Sequence, residues 1–368
     1  MTMIRKLLFF FILITTANVF PQAPILSDNA TVSVFTCGRG EQLYSTFGHT
    51  AIRIKDETNQ LDVVYNYGAF DFNTENFYFK FVKGDLQYFI VATSFQEFIY
   101  EYQYDNREVI EQTLDFPKEK KQILFERLNA SLFSEERSYT YKFIDRNCTT
   151  MVADKVNQTI GQNLIKKVDD TSITYREVLY PYFGNYFWYN LGINIIFGAK
   201  TDQKAEQLFL PIELLHSLDK AQVNGKPLVL KKQALVPEVE KSHTFSFVNS
   251  IYFVALILLI LLVIKKIFVY KTYLFIAGIL GAFLCLVGLY SLHQEVLWNY
   301  NALLFNPMFL LLPFFKKDKL KKLLWICFGL LAIYLILIIV KPFVVLMIPF
   351  IATHILMLYK LLQTTKEG

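Results

Sequence analysis

Two regimes of hydrophobic patterning divide this chain. Up to about residue 245, apolar residues alternate with polar ones or recur in short runs. From Phe245 onward they are almost continuous Leu, Ile, Val and Phe, broken by lysines. In the first regime, 31–36 (TVSVFT) reads as a strand, 38–40 as a turn and 41–47 as a short helix. The alternation of 49–55 (HTAIRIK) predicts a second strand, with 56–60 as its turn and 61–67 as the partner strand, stopping at Gly68. Pro117 opens an amphipathic helix to about Phe133, with Ile123, Leu124 and Leu128 on one face. Further on, Asn147 suits an N-cap, Met151, Val152 and Val156 follow at helical spacing, and Gly161 suits the position after the last turn. Cys148 therefore falls on the first turn of a helix. The stretch 70–98 is unusually aromatic; its 77–81 run (FYFKF) reads first as core packing and second as a lipid groove.

The second regime holds five apolar stretches, 248–264, 272–292, 302–315, 323–340 and 343–360, which predict a bundle of about five transmembrane helices. Pro307, Pro313 and Pro349 interrupt the third and fifth, as bundled helices tolerate. Lysines cluster at 265, 266 and 271, again at 316, 317, 319, 321 and 322, and at 360 and 366, whereas 293–301 has no Lys or Arg. By the positive-inside rule the Lys-rich loops are cytoplasmic, and residues 24–245 lie outside. The N-terminus agrees: Arg5 and Lys6 precede an apolar run at 7–16, the pattern of a secretory signal, with Ala17 and Ala23 as small residues for cleavage. An uncleaved anchor fits the same features. The expected domains are thus a signal peptide at 1–23, a periplasmic domain at 24–245 and a membrane domain at 246–368, in a multi-pass protein of the cell inner membrane.

Charge removes one class of function. The net charge of +5 is not spread along the chain: 246–368 holds 11 lysines against 3 acidic residues, a balance of +8, which leaves −3 on the remainder. The basic excess belongs to membrane loops, and no nucleic-acid surface is expected. His216 and His243 stand apart from other ligand types, so neither a metal nor another cofactor is expected.

The chemistry converges on two residues. At a helix N-terminus the dipole and free N–H groups favour a thiolate, the reactive form of Cys148. A neighbouring imidazole completes a nucleophilic pair, and His49 is the only histidine before residue 216. Two plainer readings stand beside this one: a Cys37–Cys148 disulfide in an oxidising compartment, and a hydrogen-bonded core role for His49. Cys285 and Cys327 lie inside expected spans and read as packing residues. The 293–306 segment carries His293, Glu295, Trp298, Asn299, Asn301 and Asn306 at the expected membrane surface, where polar groups either bind substrate or cap helices.

Several stretches together resemble a known family. Residues 44–53 (YSTFGHTAIR), 65–72 (YNYGAFDF), 79–84 (FKFVKG) and 146–150 (RNCTT) resemble the Lnb-like lipoprotein N-acyltransferases of Bacteroidetes. Members also carry a C-terminal membrane bundle, and the spacing of His293, Asn301, Asn306 and Pro307 looks like theirs. The order His-strand, polar strand, Cys-helix is similar to the circularly permuted papain-like superfamily, which holds lecithin:retinol acyltransferase and NlpC-type peptidases. The resemblance implies an α+β permuted papain-like domain on an all-α bundle. It also implies acyl transfer from a phospholipid, through a Cys148 thioester, to the α-amine of a diacylated lipoprotein. His49 would be the acid and base, and Asn66, on the strand after the His strand, the third residue. His293, Asn299 and Asn301 would contact substrate. The alternative is a membrane-anchored cysteine peptidase or amidase acting on cell-wall peptides.

Overall fold

The alternating segments of the first regime assemble into one sheet. The computed structural model describes residues 24–184, 186–239 and 244–365; the expected leader at 1–23, with Ala17 and Ala23, lies outside them, as do His243 and Lys366. Among the described residues, β1 (Thr31–Cys37), β2 (His49–Asp56), β3 (Leu61–Ala69), β4 (Gln87–Ser94), β5 (Val109–Leu114), β6 (Ser138–Thr140) and β7 (Val229–Val236) pair in the order β6-β4-β3-β2-β1-β5-β7. Every pairing is antiparallel. The period of two separates the faces. Val32, Val34, Ile52 and Ile54 look into the main core, whereas Phe35, Cys37, Ala51 and Val64 look the other way.

Helices then cover both faces. After α1 (Phe77–Lys83), α2 (Phe95–Tyr104) closes the minor face, while α3 (Lys118–Phe133), α4 (Cys148–Ile160) and, beyond the short α5 (Tyr175–Leu179) and α6 (Phe187–Ile196), α7 (Pro211–Lys220) pack on the major one. Pro117 caps α3 in an extended conformation, as expected, although Phe125 rather than Ile123 joins Leu124 and Leu128 in the core. β3 runs on through Gly68 to Ala69, passing a bulge, instead of stopping at the glycine. The 41–47 segment is only a 3-10 turn at Leu43–Ser45.

The second regime is helical: α8 (Ile251–Val263), α9 (Ile267–Tyr290), α10 (Lys317–Ile338) and α11 (Val344–Thr364). Among the described residues, α9, α10 and α11 are long and apolar enough to cross a membrane, and α8 and the 301–311 segment are shorter apolar pieces. The third apolar stretch thus departs from a continuous span. It forms one helical turn at Asn301–Leu304 and a 3-10 segment at Pro307–Leu311. Pro307 lacks an amide hydrogen and drives Asn306 out of helical geometry, while the Asn306 side chain accepts from Met308 N at 2.9 Å. The broken piece packs along α9 and is pinned by the fully buried His354, whose Nδ1 bonds Leu304 O and whose Nε2 bonds the Tyr273 hydroxyl, both at 3.1 Å. Satisfying freed backbone groups in this way is what a break inside a bundle requires.

A buried arginine joins the two halves. Arg176, 1% exposed, bonds Asp202 through Nε at 2.7 Å, Asn194 Oδ1 at 3.0 Å and the Phe197 carbonyl at 3.0 Å. Its guanidinium also lies 4.6 Å from the centre of the Phe343 ring, at the turn between α10 and α11.

Candidate active site

Cys148 is the first residue of α4, and Asn147 makes it so. The Asn147 carboxamide accepts from Thr149 N at 2.9 Å and Thr150 N at 3.1 Å, while its Nδ2 donates to the carbonyls of Phe143 and Phe209. Two free helix amides are satisfied, and the turn before the cysteine is fixed. His49 opens β2, opposite Cys37 in the β1 register. Asn66 lies on β3, and its Oδ1 stands 3.3 Å from His49 Nε2. The Asn66 amide nitrogen faces Val64 O and Thr93 Oγ1, which orients its oxygen towards the imidazole. That oxygen can only accept, so Nε2–H is the donor to it.

A glycine lies beside both residues. A Cβ on Gly68 would sit 3.7 Å from Cys148 Cβ, 3.9 Å from His49 Cε1 and 3.9 Å from the Tyr139 hydroxyl. Its φ of +100° also lies where a side chain is strained. The sequence-predicted Cys148, His49 and Asn66 are therefore brought together, with the Gly68 backbone beside the cysteine and the imidazole. Tyr139, which the pattern of the chain did not single out, completes the surround. Its buried hydroxyl has no hydrogen-bond partner among the described residues.

Electrostatics distinguish the two cysteines of this domain. Burial pushes the Cys148 thiol up, but the charge and hydrogen bond of His49, with the N–H and hydroxyl of Thr50, outweigh it and bring the pKa down to about 7. Burial pushes Cys37 up to about 12 despite a hydrogen bond from Tyr102. Both are free thiols rather than a disulfide. A lowered pKa leaves thiolate above about pH 7 and removes it below. Alkylation of Cys148 by iodoacetamide should accordingly rise between pH 6 and 8 and then level. In His49→Ala the rise should move to higher pH, because the chief lowering influence is gone. Peptide mapping of the labelled site at each pH reads this out, and an unchanged profile in His49→Ala would separate the two residues.

The turn leading to Cys148 rests on the loop after α9. Lys142 Nζ donates to Leu292 O at 2.6 Å, Ile144 N to Glu295 Oε1 at 3.3 Å, and Lys200 Nζ bridges Asp145 Oδ2 at 2.6 Å and Gln294 Oε1 at 3.1 Å. The three residues expected to contact substrate sit in and just beyond the same loop, but their polar atoms meet helix ends. His293 Nε2 is 2.9 Å from Phe81 O at the end of α1. Asn299 Nδ2 donates to the Ile195 and Ile196 carbonyls of α6. Asn301, 1% exposed, donates to Asn194 O and Ile195 O and accepts from the Tyr334 hydroxyl at 2.7 Å. Their observed contacts are those of helix caps. His216, in turn, pairs with Asp169 at 2.8 Å, and no group of metal-ligating residues occurs among the described residues.

An α+β sheet domain with a cysteine at a helix N-terminus, fused to a bundle of long apolar helices, is thus the class of protein at hand. Residues 20–180, under half of the chain, match the family described as the Lnb N-terminal periplasmic domain. No curated protein and no solved structure matches the chain.

Proposed function

We propose that the protein is a lipoprotein N-acyltransferase of the inner membrane, with its sheet domain in the periplasm and the permuted papain-like arrangement of catalytic groups. The observation that carries this reading is the placement of His49 between Cys148 and Asn66 in a domain clamped to a membrane bundle. The Cys148 thiolate attacks the ester carbonyl carbon of a glycerophospholipid. The tetrahedral intermediate collapses as the C–O bond breaks, and His49, protonated, gives its proton to the departing lysophospholipid alkoxide. A thioester remains on Cys148. The free α-amine of a diacylated lipoprotein, with a reference pKa near ~8, then attacks that thioester and loses its proton to His49. The C–S bond breaks, the thiolate returns and the amide leaves as product. The N–H of Cys148 would serve the oxyanion, and the unpartnered Tyr139 hydroxyl is a second donor for it. His293, Asn299 and Asn301 serve the substrates by holding α1 and α6 to the bundle.

A peptidase would use the same pair with water as acceptor, so product balance decides. Incubated with phospholipid vesicles and a diacylated lipopeptide, the protein should release lysophospholipid and N-acylated lipopeptide in equal amounts. Free fatty acid in place of the amide would indicate a lipase, and a shortened peptide the cell-wall peptidase.

A further inference from the structure

Apart from Phe77, which packs partly buried against the main core, the aromatic run at 77–81 does not behave as core. Helix α1 buries none of its residues, and Tyr78 is 78% exposed, Phe79 64% and the nearby Phe72 61%. A contiguous aromatic face of this kind marks a surface that is covered in the working protein.

The end of α1 shows at what level that surface lies. The carbonyls of its last turn meet the segment that follows α9. Phe81 O faces His293 Nε2 at 2.9 Å, Val82 O accepts from Ser291 Oγ at 2.9 Å, and Lys83 O accepts from Leu292 N at 2.7 Å. The chain passes so close here that a Cβ on Gly84 would be 2.9 Å from His293 N. Helix α9 has 24 residues, about 36 Å at 1.5 Å each, which exceeds a hydrocarbon core of about 30 Å. Its final turn, with Leu289 83% exposed, therefore reaches the bilayer boundary, and α1 is fixed at that depth. Tyr suits the interface, where Lys80 can lay its stem along apolar surface and keep its charge in the headgroups, while Lys83 pairs with Asp85.

From this face, rings run inward. Phe72 lies 5.0 Å from Phe77, Phe77 5.9 Å from Phe70, Phe70 5.2 Å from Tyr88 and Tyr88 6.5 Å from Tyr139, centre to centre. Tyr139, whose hydroxyl would lie 3.9 Å from a Cβ on Gly68, brings the series beside Cys148.

We propose that the Tyr78 and Phe79 side of α1, with Phe72 just before it, inserts into the bilayer leaflet on the sheet-domain side, and that the rings behind it lead a phospholipid acyl ester to Cys148. Insertion rests on the position of α1 beside α9; delivery rests in addition on the acyl-transfer reading.

The test uses the full chain in phosphatidylcholine nanodiscs. Phe79→Trp adds emission to that of the parent chain, which has three tryptophans. Phosphatidylcholine brominated near the headgroup should quench at least half of the added signal, and aqueous iodide little of it. Quenching by iodide and not by brominated lipid would overturn insertion. For delivery, the Tyr78→Asp/Phe79→Asp variant should release lysophospholipid from bilayers at least tenfold more slowly, with Cys148 alkylation unchanged as the check on folding. Equal release would overturn delivery. If the parent chain itself releases none, the acyl-transfer reading fails and delivery with it, while the quenching result still decides insertion. Should Phe79→Trp lower expression, Tyr78→Trp reports on the same face.

Discussion

Cys148→Ala and His49→Ala should each lower turnover by at least ~10³-fold, and the double variant should be little worse than either single change. The reason is geometric. On the proposed mechanism Cys148 supplies the electron pair and His49 sets its protonation, so the loss of one leaves nothing for the other to do. Asn66→Ala should cost less, because Asn66 acts through the ring it orients. Stability gives the control. Neither side chain carries the fold: Asn147, not Cys148, caps α4, and His49 stands at the open end of β2. Thermal unfolding and membrane insertion should thus be preserved in both variants. Activity assays paired with melting curves check this, and an active Cys148→Ala protein would remove the nucleophile from the account.

The largest effect on stability is expected at Arg176. In Arg176→Met the Asp202 carboxylate, the Asn194 amide oxygen and the Phe197 carbonyl all lose a buried donor at once. Removing one partner of a buried ion pair typically costs about 3–5 kcal/mol. Lys341, 3.2 Å from Asp202, keeps one charge nearby and should hold the cost towards the lower end. For a domain of this size the melting temperature should fall by about 10 °C. Asn194 also joins α6 to Asn301 through its carbonyl, so the loss should loosen the seam between sheet domain and bundle before either half unfolds. Hydrogen exchange should rise first in α6 and around 197–202. Uniform exchange with an unchanged melting point would show that Arg176 is replaceable.

How far the sequence reveals this protein depends on the range of the interactions. The β2–β3 hairpin and the cap at Asn147 are local, written in alternation and in one side chain bonding the next turn. They also place His49, Asn66 and Cys148 on the correct elements. The closeness of Gly68 to His49 and Cys148 is not legible locally, because it lies at an irregularity in the β3–β4 pairing. Arg176 looked like any surface arginine, since its partners lie up to 26 residues away along the sheet-domain chain and across the seam at Phe343. The same limit applies to Glu295, whose buried carboxylate bonds a backbone amide 151 residues away. Hydropathy counted the 302–315 stretch as a span because it measures apolarity and not continuity, and Pro307 breaks the helix without lowering the count. Aromatic composition misled in the opposite sense. The 77–81 run has core chemistry, but its helix ends on a membrane loop and faces outward.

The central claim is that Cys148 carries an acyl group during turnover. It is tested most directly by intact-mass analysis of the protein mixed with phospholipid in the absence of any amine acceptor. One adduct of a single acyl chain, mapped to Cys148, absent from Cys148→Ala and lost on adding diacylated lipopeptide, is the predicted result. An unmodified chain that nevertheless releases lysophospholipid, or an adduct that the lipopeptide leaves in place, would contradict it.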